Sequence, residues 1–258
     1  LGDISWPRLL INLIAAKQKK KMNFFKICIL CLSLFSNVVA QSFNHVVYER
    51  KTNLYKKFAD DNVKDWIDES QKIKYDQFEL FFNDSQSVFK PVESELREQM
   101  EWSTDKNSVY QNFNLNQRLS IKKVWGESAF TIDSLYTRKW KITDSKRIIN
   151  GQQCLKAIWQ PNDSTRIYAW FSIDMPQPVG PESFYGLPGV ILGLATEDGG
   201  VIYFATHIEE QILPKNIFDF PSTKTKIYTS AELKAKLEKD YGKNKWGKAM
   251  IKNLFGYW

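Results

Sequence analysis

The chain holds only two histidines, His45 and His207. His207 stands two residues before Glu209 in the alternating run Thr206-His207-Ile208-Glu209. In an extended strand, residues two apart share a face, so this imidazole and this carboxylate can meet. Such a pair does acid–base work, helps to hold a metal, or simply hydrogen-bonds on a sheet surface. A transition-metal reading takes His207 and Glu209, with His45 and Cys154 as further donors. A hydrolase reading also needs a nucleophile, and none stands at a useful spacing; Ser183 has no adjacent base. Asp60-Asp61 and Glu209-Glu210 read as solvated charges rather than ligands. No phosphate-binding glycine loop or nucleophile elbow occurs, so no cofactor is expected.

Aromatic side chains are the second set with a chemical use. Tyr75, Phe78, Phe82, Trp125, Trp159, Trp170 and Tyr203 sit on runs that read as strands. A curved sheet can bury such rings as core or display them along a concave apolar surface. Trp159, Trp170 and Tyr203 are the candidates for ligand contact. The third set is structural. Residues 180–193 read GPESFYGLPGVILG. Pro181 and Pro188 restrict φ, Gly180, Gly186 and Gly189 open backbone conformations closed to other residues, and Leu187 can dock inward. The pattern predicts a constrained corner ahead of a Val190-Ile191-Leu192 strand.

This run resembles the GLPGLI family of exported proteins of Gram-negative bacteria. Gly151-Gln152-Gln153-Cys154-Leu155-Lys156-Ala157 and Trp170-Phe171-Ser172-Ile173-Asp174-Met175-Pro176 extend the resemblance, which covers about residues 140–210. Val190-Ile191 stands where the family name has Leu-Ile. The resemblance implies export and carries over no catalytic residue. A looser likeness, to periplasmic carriers of the lipoprotein-sorting type, implies a curved antiparallel half-barrel closed by helices.

The elements that must position these groups are mostly strands. Alternation or short apolar runs mark 43–48, 72–83, 108–113, 118–125, 128–132, 140–142, 153–159, 166–173, 190–195 and 201–208. Pro161-Asn162-Asp163-Ser164 and Asp198-Gly199-Gly200 read as hairpin turns. Tyr55, Phe58, Ala59, Val63, Trp66 and Ile67 recur at helical spacing and predict an amphipathic helix. Thr229-Ser230-Ala231-Glu232 is a capping box, followed by Leu233, Leu237 and Tyr241 on one helical face. Gly242 ends that helix. Trp246, Ala249, Met250 and Leu254 form a second stripe, before Tyr257-Trp258. The expected fold is mainly β: a curved antiparallel meander with short flanking helices.

The 258 residues carry 36 basic and 29 acidic side chains, a net charge of +7. Much of that excess is N-terminal. Met22 and Lys26 precede the nine-residue apolar run Ile27–Phe35, and Val38-Val39-Ala40 supplies small residues before Gln41. Residues 22–40 read as a secretory signal peptide, too short in its apolar part to span a bilayer. Residues 1–21 read as an upstream segment, untranslated or a lengthened positive start. Removing the six basic and one acidic residue of positions 1–40 leaves 30 basic and 28 acidic residues. That balance excludes a global field for nucleic acid. Cys28 and Cys31 leave with the signal, so Cys154 is expected to be a buried, unpaired thiol. Residues 41–258 are expected to form one exported, β-rich domain that is not an integral membrane protein. Its expected work is non-enzymatic binding of an apolar ligand, a peptide or an outer-membrane partner. A metal-binding protein or hydrolase using His207 and Glu209 is the alternative.

Overall fold

The structure, a computed structural model, describes residues 44–59, 62–93, 100–124 and 126–256. The signal segment 22–40, the upstream residues 1–21, Asp60, Asp61, Trp125 and Tyr257-Trp258 lie outside the described residues. Among the described residues twelve strands form one sheet: β1 (His45–Asn53), β2 (Ile73–Phe82), β3 (Gln86–Pro91), β4 (Ser108–Asn112), β5 (Gln117–Val124), β6 (Glu127–Ser134), β7 (Lys141–Ile149), β8 (Gln152–Asn162), β9 (Thr165–Ser172), β10 (Val190–Thr196), β11 (Val201–Glu209) and β12 (Ile227–Tyr228). Their order is β12-β6-β5-β4-β3-β2-β1-β11-β10-β9-β8-β7. Two meanders, β1 to β6 and β7 to β11, are joined where β1 pairs with β11. All pairings are antiparallel except the short β12–β6 ladder. The expected mainly β, antiparallel architecture is therefore present.

The sheet is strongly curved. Tyr185 packs on Phe113, just past β4, at 5.8 Å between ring centres. Its neighbour Phe184 packs on Trp159 of β8 at 5.9 Å. Seven strand-to-strand steps separate β4 from β8, roughly 33 Å in a flat sheet at the usual spacing. Adjacent residues reach both only because the sheet wraps around them.

What fills the concave face is the connection from β9 to β10, residues 173–189. Met175, Val179, Phe184 and Leu187 of this segment are buried with Val46, Tyr48, Phe78, Leu80 and Phe89 of the sheet. The segment leaves few backbone groups to chance. Val190 N–H donates to Met175 O at 2.8 Å, Ile191 N–H to Val179 O at 2.8 Å and Gly186 N–H to Pro178 O at 3.1 Å. Tyr48 Oη donates to Ile191 O at 2.7 Å. Gly189 is demanded by close approach, since a Cβ there would lie 2.0 Å from the Ser172 carbonyl oxygen. Gly186 is demanded by backbone conformation, at φ +91°.

Three helical expectations meet different outcomes. The amphipathic helix over 55–67 is not formed. In its place stand a short α1 (Leu54–Lys57) and a separate 3-10 helix (Asn62–Trp66). Trp66, placed on the apolar stripe, is 79% exposed. Asn53 caps α1 through its side chain, and Leu54 alone anchors it. The Thr229 capping box opens α2 (Ser230–Tyr241), with both reciprocal bonds made. A further helix, α3 (Lys245–Leu254), buries Gly247, Ile251 and Leu254; of the expected stripe, Leu254 is buried and Met250 packs beside it, while Trp246 is exposed. Leu233, Leu237, Ile251 and Leu254 make a second core against Val124 and Ala129. Among the described residues no helix is long and apolar enough to cross a membrane.

Candidate functional site

The concave face changes character along its strands. On β1 the inward positions run Val46, Tyr48, Arg50, Thr52; on β2 they run Phe82, Leu80, Phe78, Asp76, Lys74. The apolar end packs on the β9–β10 segment. The polar end faces a cavity of about 950 Å³ between the sheet and the α2–α3 hairpin. Lys234 and Glu238 of α2, and Lys248, Ile251 and Lys252 of α3, form its helical wall. A smaller cavity of about 280 Å³ adjoins it and shares Asn107, Glu182 and Phe255.

Buried charge is concentrated at the sheet floor. Arg50 donates from Nη2 to Asp76 Oδ2 at 2.8 Å and from Nη1 to Asp105 O at 2.8 Å. Its guanidinium lies 4.6 Å from the centre of the Phe78 ring. Burial works against the Arg50 charge, but Tyr203, Asp76 and Glu182 outweigh it and hold the group protonated. Lys74 Nζ reaches Asp76 Oδ1 at 3.0 Å. Burial alone would raise the Asp76 pKa; Arg50 and Lys74 reverse this and hold it below the usual carboxylate range.

Glu182 behaves oppositely. It projects from the tip of the Gly-Pro-Glu-Ser turn, at φ 55°, and is 1% exposed. Tyr203 Oη donates to its Oε1 at 2.6 Å, and Arg50 Nη1 stands 3.8 Å from the same oxygen. Burial nevertheless dominates and pushes the carboxyl pKa up, despite Arg50 and Tyr203. Among the described residues its Oε2 has no hydrogen-bond partner, nor do Asn107 Oδ1 and Thr104 Oγ1 on the cavity wall.

The smaller cavity is ringed by cations. Arg138 donates from Nη1 to Ser183 O at 2.8 Å and from Nη2 to Ser183 Oγ at 3.1 Å. Its guanidinium lies over the Phe184 ring at 4.0 Å and the Trp159 ring at 5.0 Å. Burial, helped by Arg118, pulls its pKa down to about 10. Lys122 Nζ donates to Leu254 O at 2.8 Å, and burial lowers its pKa too. Arg118 donates to Asp133 Oδ2 at 3.2 Å.

Residues 128–193 match a protein-family model described as Protein of unknown function (Porph_ging). That stretch contains the three segments that carry the GLPGLI resemblance, and it contains Arg138, Glu182 and Ser183. A comparison with curated proteins found no match. Among solved structures, PNGF-II in its P21 crystal form is similar at TM-score 0.49 and 15% identity, over 72% of this chain and 31% of that one. Its C2 form gives TM-score 0.47 and 15% identity, over 73% and 31%. The chain thus spans about a third of the PNGF-II chain. An uncharacterized conserved protein from Thermus thermophilus is similar at TM-score 0.39 and 4% identity, over 72% of this chain and 90% of that one.

The structure divides the aromatic candidates. Tyr203 lines the larger cavity and Trp159 the smaller. Trp170 faces the opposite, convex side, where Phe204 packs at 6.1 Å and Arg147 lies 5.1 Å from its ring. Within the corner motif, Leu187, Gly180, Pro181 and Gly189 are buried, while Gly186 and Pro188 are exposed.

His207 and Glu209 do meet, on the convex face. His207 Nε2 lies 3.0 Å from Glu209 Oε2, and the other carboxylate oxygen lies 2.8 Å from His45 Nδ1. Glu79 stands 3.5 Å from His45 Nε2 and 3.1 Å from Lys90. His45 stacks flat on Phe81 at 4.3 Å. These groups neutralise one another in a row along the sheet surface. Among the described residues no three His, Cys, Asp or Glu side chains converge as a metal-ligand set. Cys154 of β8 belongs to the main core, where burial pushes its thiol up to about 11.

Sequence reasoning missed Arg50, Asp76, Lys122, Arg138 and Glu182. A signal was present for the first two. The strand alternation that buries Val46 and Tyr48 also points Arg50 inward, and the one that buries Leu80 and Phe78 does the same for Asp76. Charged residues in phase with a core face mark a buried polar site. Glu182 was marked by being an acidic residue inside an otherwise constrained, apolar corner.

Proposed function

We propose that this protein is an exported GLPGLI-type binding module whose ligand occupies the cavity between the concave face and the α2–α3 hairpin. One observation carries the reading: Glu182 Oε2, Asn107 Oδ1 and Thr104 Oγ1 are buried against the cavity without partners among the described residues. A buried polar atom left unpaired costs about 1–3 kcal/mol. Three on one wall are poor structural elements and good ligand contacts. Tyr203, Val201, Ile251 and Phe255 add apolar surface to the same cavity. That mixture favours a ligand with both polar and apolar parts. The export reading rests on residues 22–40. No observation favours the metal or hydrolase alternative, since both imidazoles spend their contacts on carboxylates at the sheet surface.

Native mass spectrometry of protein recovered from the cell envelope tests the proposal. The expected result is an adduct of constant mass that is lost on unfolding. A bare protein mass from gently handled envelope preparations overturns it.

A further inference from the structure

The small cavity beside the main one has an unusual charge balance. Arg118 and Lys122 enter it from β5, and Arg138 enters from the segment after β6. Among the described residues only Arg118 of the three has an acidic partner, Asp133, which also accepts from Ser230 N–H at 2.9 Å and Ser230 Oγ at 2.6 Å. Among the described residues neither Lys122 nor Arg138 has a carboxylate within ion-pair distance. Their bonds go to the neutral Leu254 and Ser183 oxygens. The single carboxyl on the cavity wall, Glu182, is already engaged by Tyr203.

Two cations buried without a counter-charge are expensive, because desolvation is not repaid by a partner. Their donors are also incompletely used. Arg138 is 8% exposed, and among the described residues neither its Nε nor Arg118 Nε has a partner. Ser120, Ser183 and Asn107 line the same cavity and add hydrogen-bonding groups. A planar guanidinium fork beside an ammonium group suits a carboxylate, phosphate or sulfate.

We propose that Arg118, Lys122 and Arg138 form an oxyanion subsite that takes the anionic group of the bound ligand. The inference rests on the binding-module reading and names the chemistry that module selects. The rest of the ligand extends past Glu182 and Asn107 into the larger cavity.

Calorimetric and thermal-shift titration of the full chain with inorganic phosphate, sulfate and acetate tests it, against sodium chloride at matched ionic strength. At least one oxyanion binds saturably and raises the melting temperature beyond the chloride control. Lys122→Met keeps the packing and removes the charge, and Arg138→Gln removes the fork; each weakens binding about tenfold or more. Lys146→Gln, an exposed side chain of β7 that lines neither cavity, leaves it unchanged. Circular dichroism separates lost binding from lost folding. Should Arg138→Gln unfold, Lys122→Met decides. No response beyond chloride, or equal affinity in Lys122→Met, overturns the subsite. The two readings fail separately. A co-purified ligand lacking any acidic group removes the subsite and keeps the module. Saturable phosphate binding by a protein that never carries an adduct keeps the subsite and removes the carried ligand. A phosphate response equal to that of a phosphorylated adduct's isolated headgroup marks a headgroup source; a native protein saturated with inorganic phosphate alone marks the free ion.

Discussion

The two ends of the concave face use the same strands for opposite purposes. At one end β1 and β2 bury Val46, Tyr48, Phe78, Leu80 and Phe82 against the β9–β10 segment. At the other, within two residues along each strand, they bury Arg50 and Asp76 beside a cavity. The apolar end gains from removing surface from water, at about 25 cal/mol per Å². The charged end gains little net stability, because its ion pairs must first offset their own desolvation. Stability is therefore concentrated where the corner motif docks, and buried charge where it ends. Glu182 sits at the junction: its backbone belongs to the constrained corner and its carboxyl to the cavity.

Substitutions can test this division. The largest effect is expected at Gly189→Val, where the new Cβ would collide with the Ser172 carbonyl. The protein should lose most of its yield and cooperative unfolding, read by expression and thermal melting; near-normal stability would break the comparison at its apolar end. Phe184→Ala should cost about 3–5 kcal/mol in denaturant unfolding, the usual range for deleting a buried ring. Asp76→Asn removes the charge that holds Arg50 and Lys74, and should cost about 3 kcal/mol or more. The Asp76 pKa is depressed on folding, so its contribution is complete above the unfolded-chain value and lost as pH falls through the folded one. The wild-type protein should thus lose stability on acidification more steeply than Asp76→Asn.

Glu182→Gln sharpens the contrast from the other side. Burial already favours the neutral carboxyl, and Gln can still accept from Tyr203. Stability should change by about 1 kcal/mol or less, while the envelope-derived adduct is lost or weakened in native mass spectra. A large stability loss would mean that Glu182 is structural. The smallest effect belongs to the convex face. Burial lowers the His45 pKa, but Glu79 and Glu209 outweigh it, so the net shift is upward. Protonation therefore favours the folded state. The contribution is complete below about 6.5 and fades as pH rises through the raised folded value. His45→Gln should flatten the pH dependence of unfolding near neutrality by about 1 kcal/mol, with adduct binding unchanged.

Several elements were legible because their signals are local. The capping box at Thr229, the Asp198-Gly199-Gly200 turn and the alternation of β2 and β11 need only a few residues to act. The helix over 55–67 failed because periodicity without a surface to bury it against does not sustain a helix. The strand β3 went unread because Gln86–Pro91 has its apolar pair, Val88-Phe89, adjacent rather than alternating. Both residues are buried, each on its own face of the sheet. The end of β1 was read five residues early, since Glu49, Arg50 and Lys51 look like a solvated tail. Arg50 continues the buried face because Asp76, on the next strand, meets it.

Taken alone, the order of residues determined that the chain makes a mostly antiparallel sheet and that residues 180–189 form a corner. It also determined that His207 and Glu209 share a strand face. Those outcomes depend on backbone dihedrals and on neighbours a few positions apart. Only the tertiary structure decided that the corner fills the sheet's hollow, and that Arg50, Asp76, Arg138 and Glu182 gather beside it. Burial and Coulomb interaction act between groups close in space, whatever their separation along the chain, and curvature of a twelve-stranded sheet is what brings these groups close.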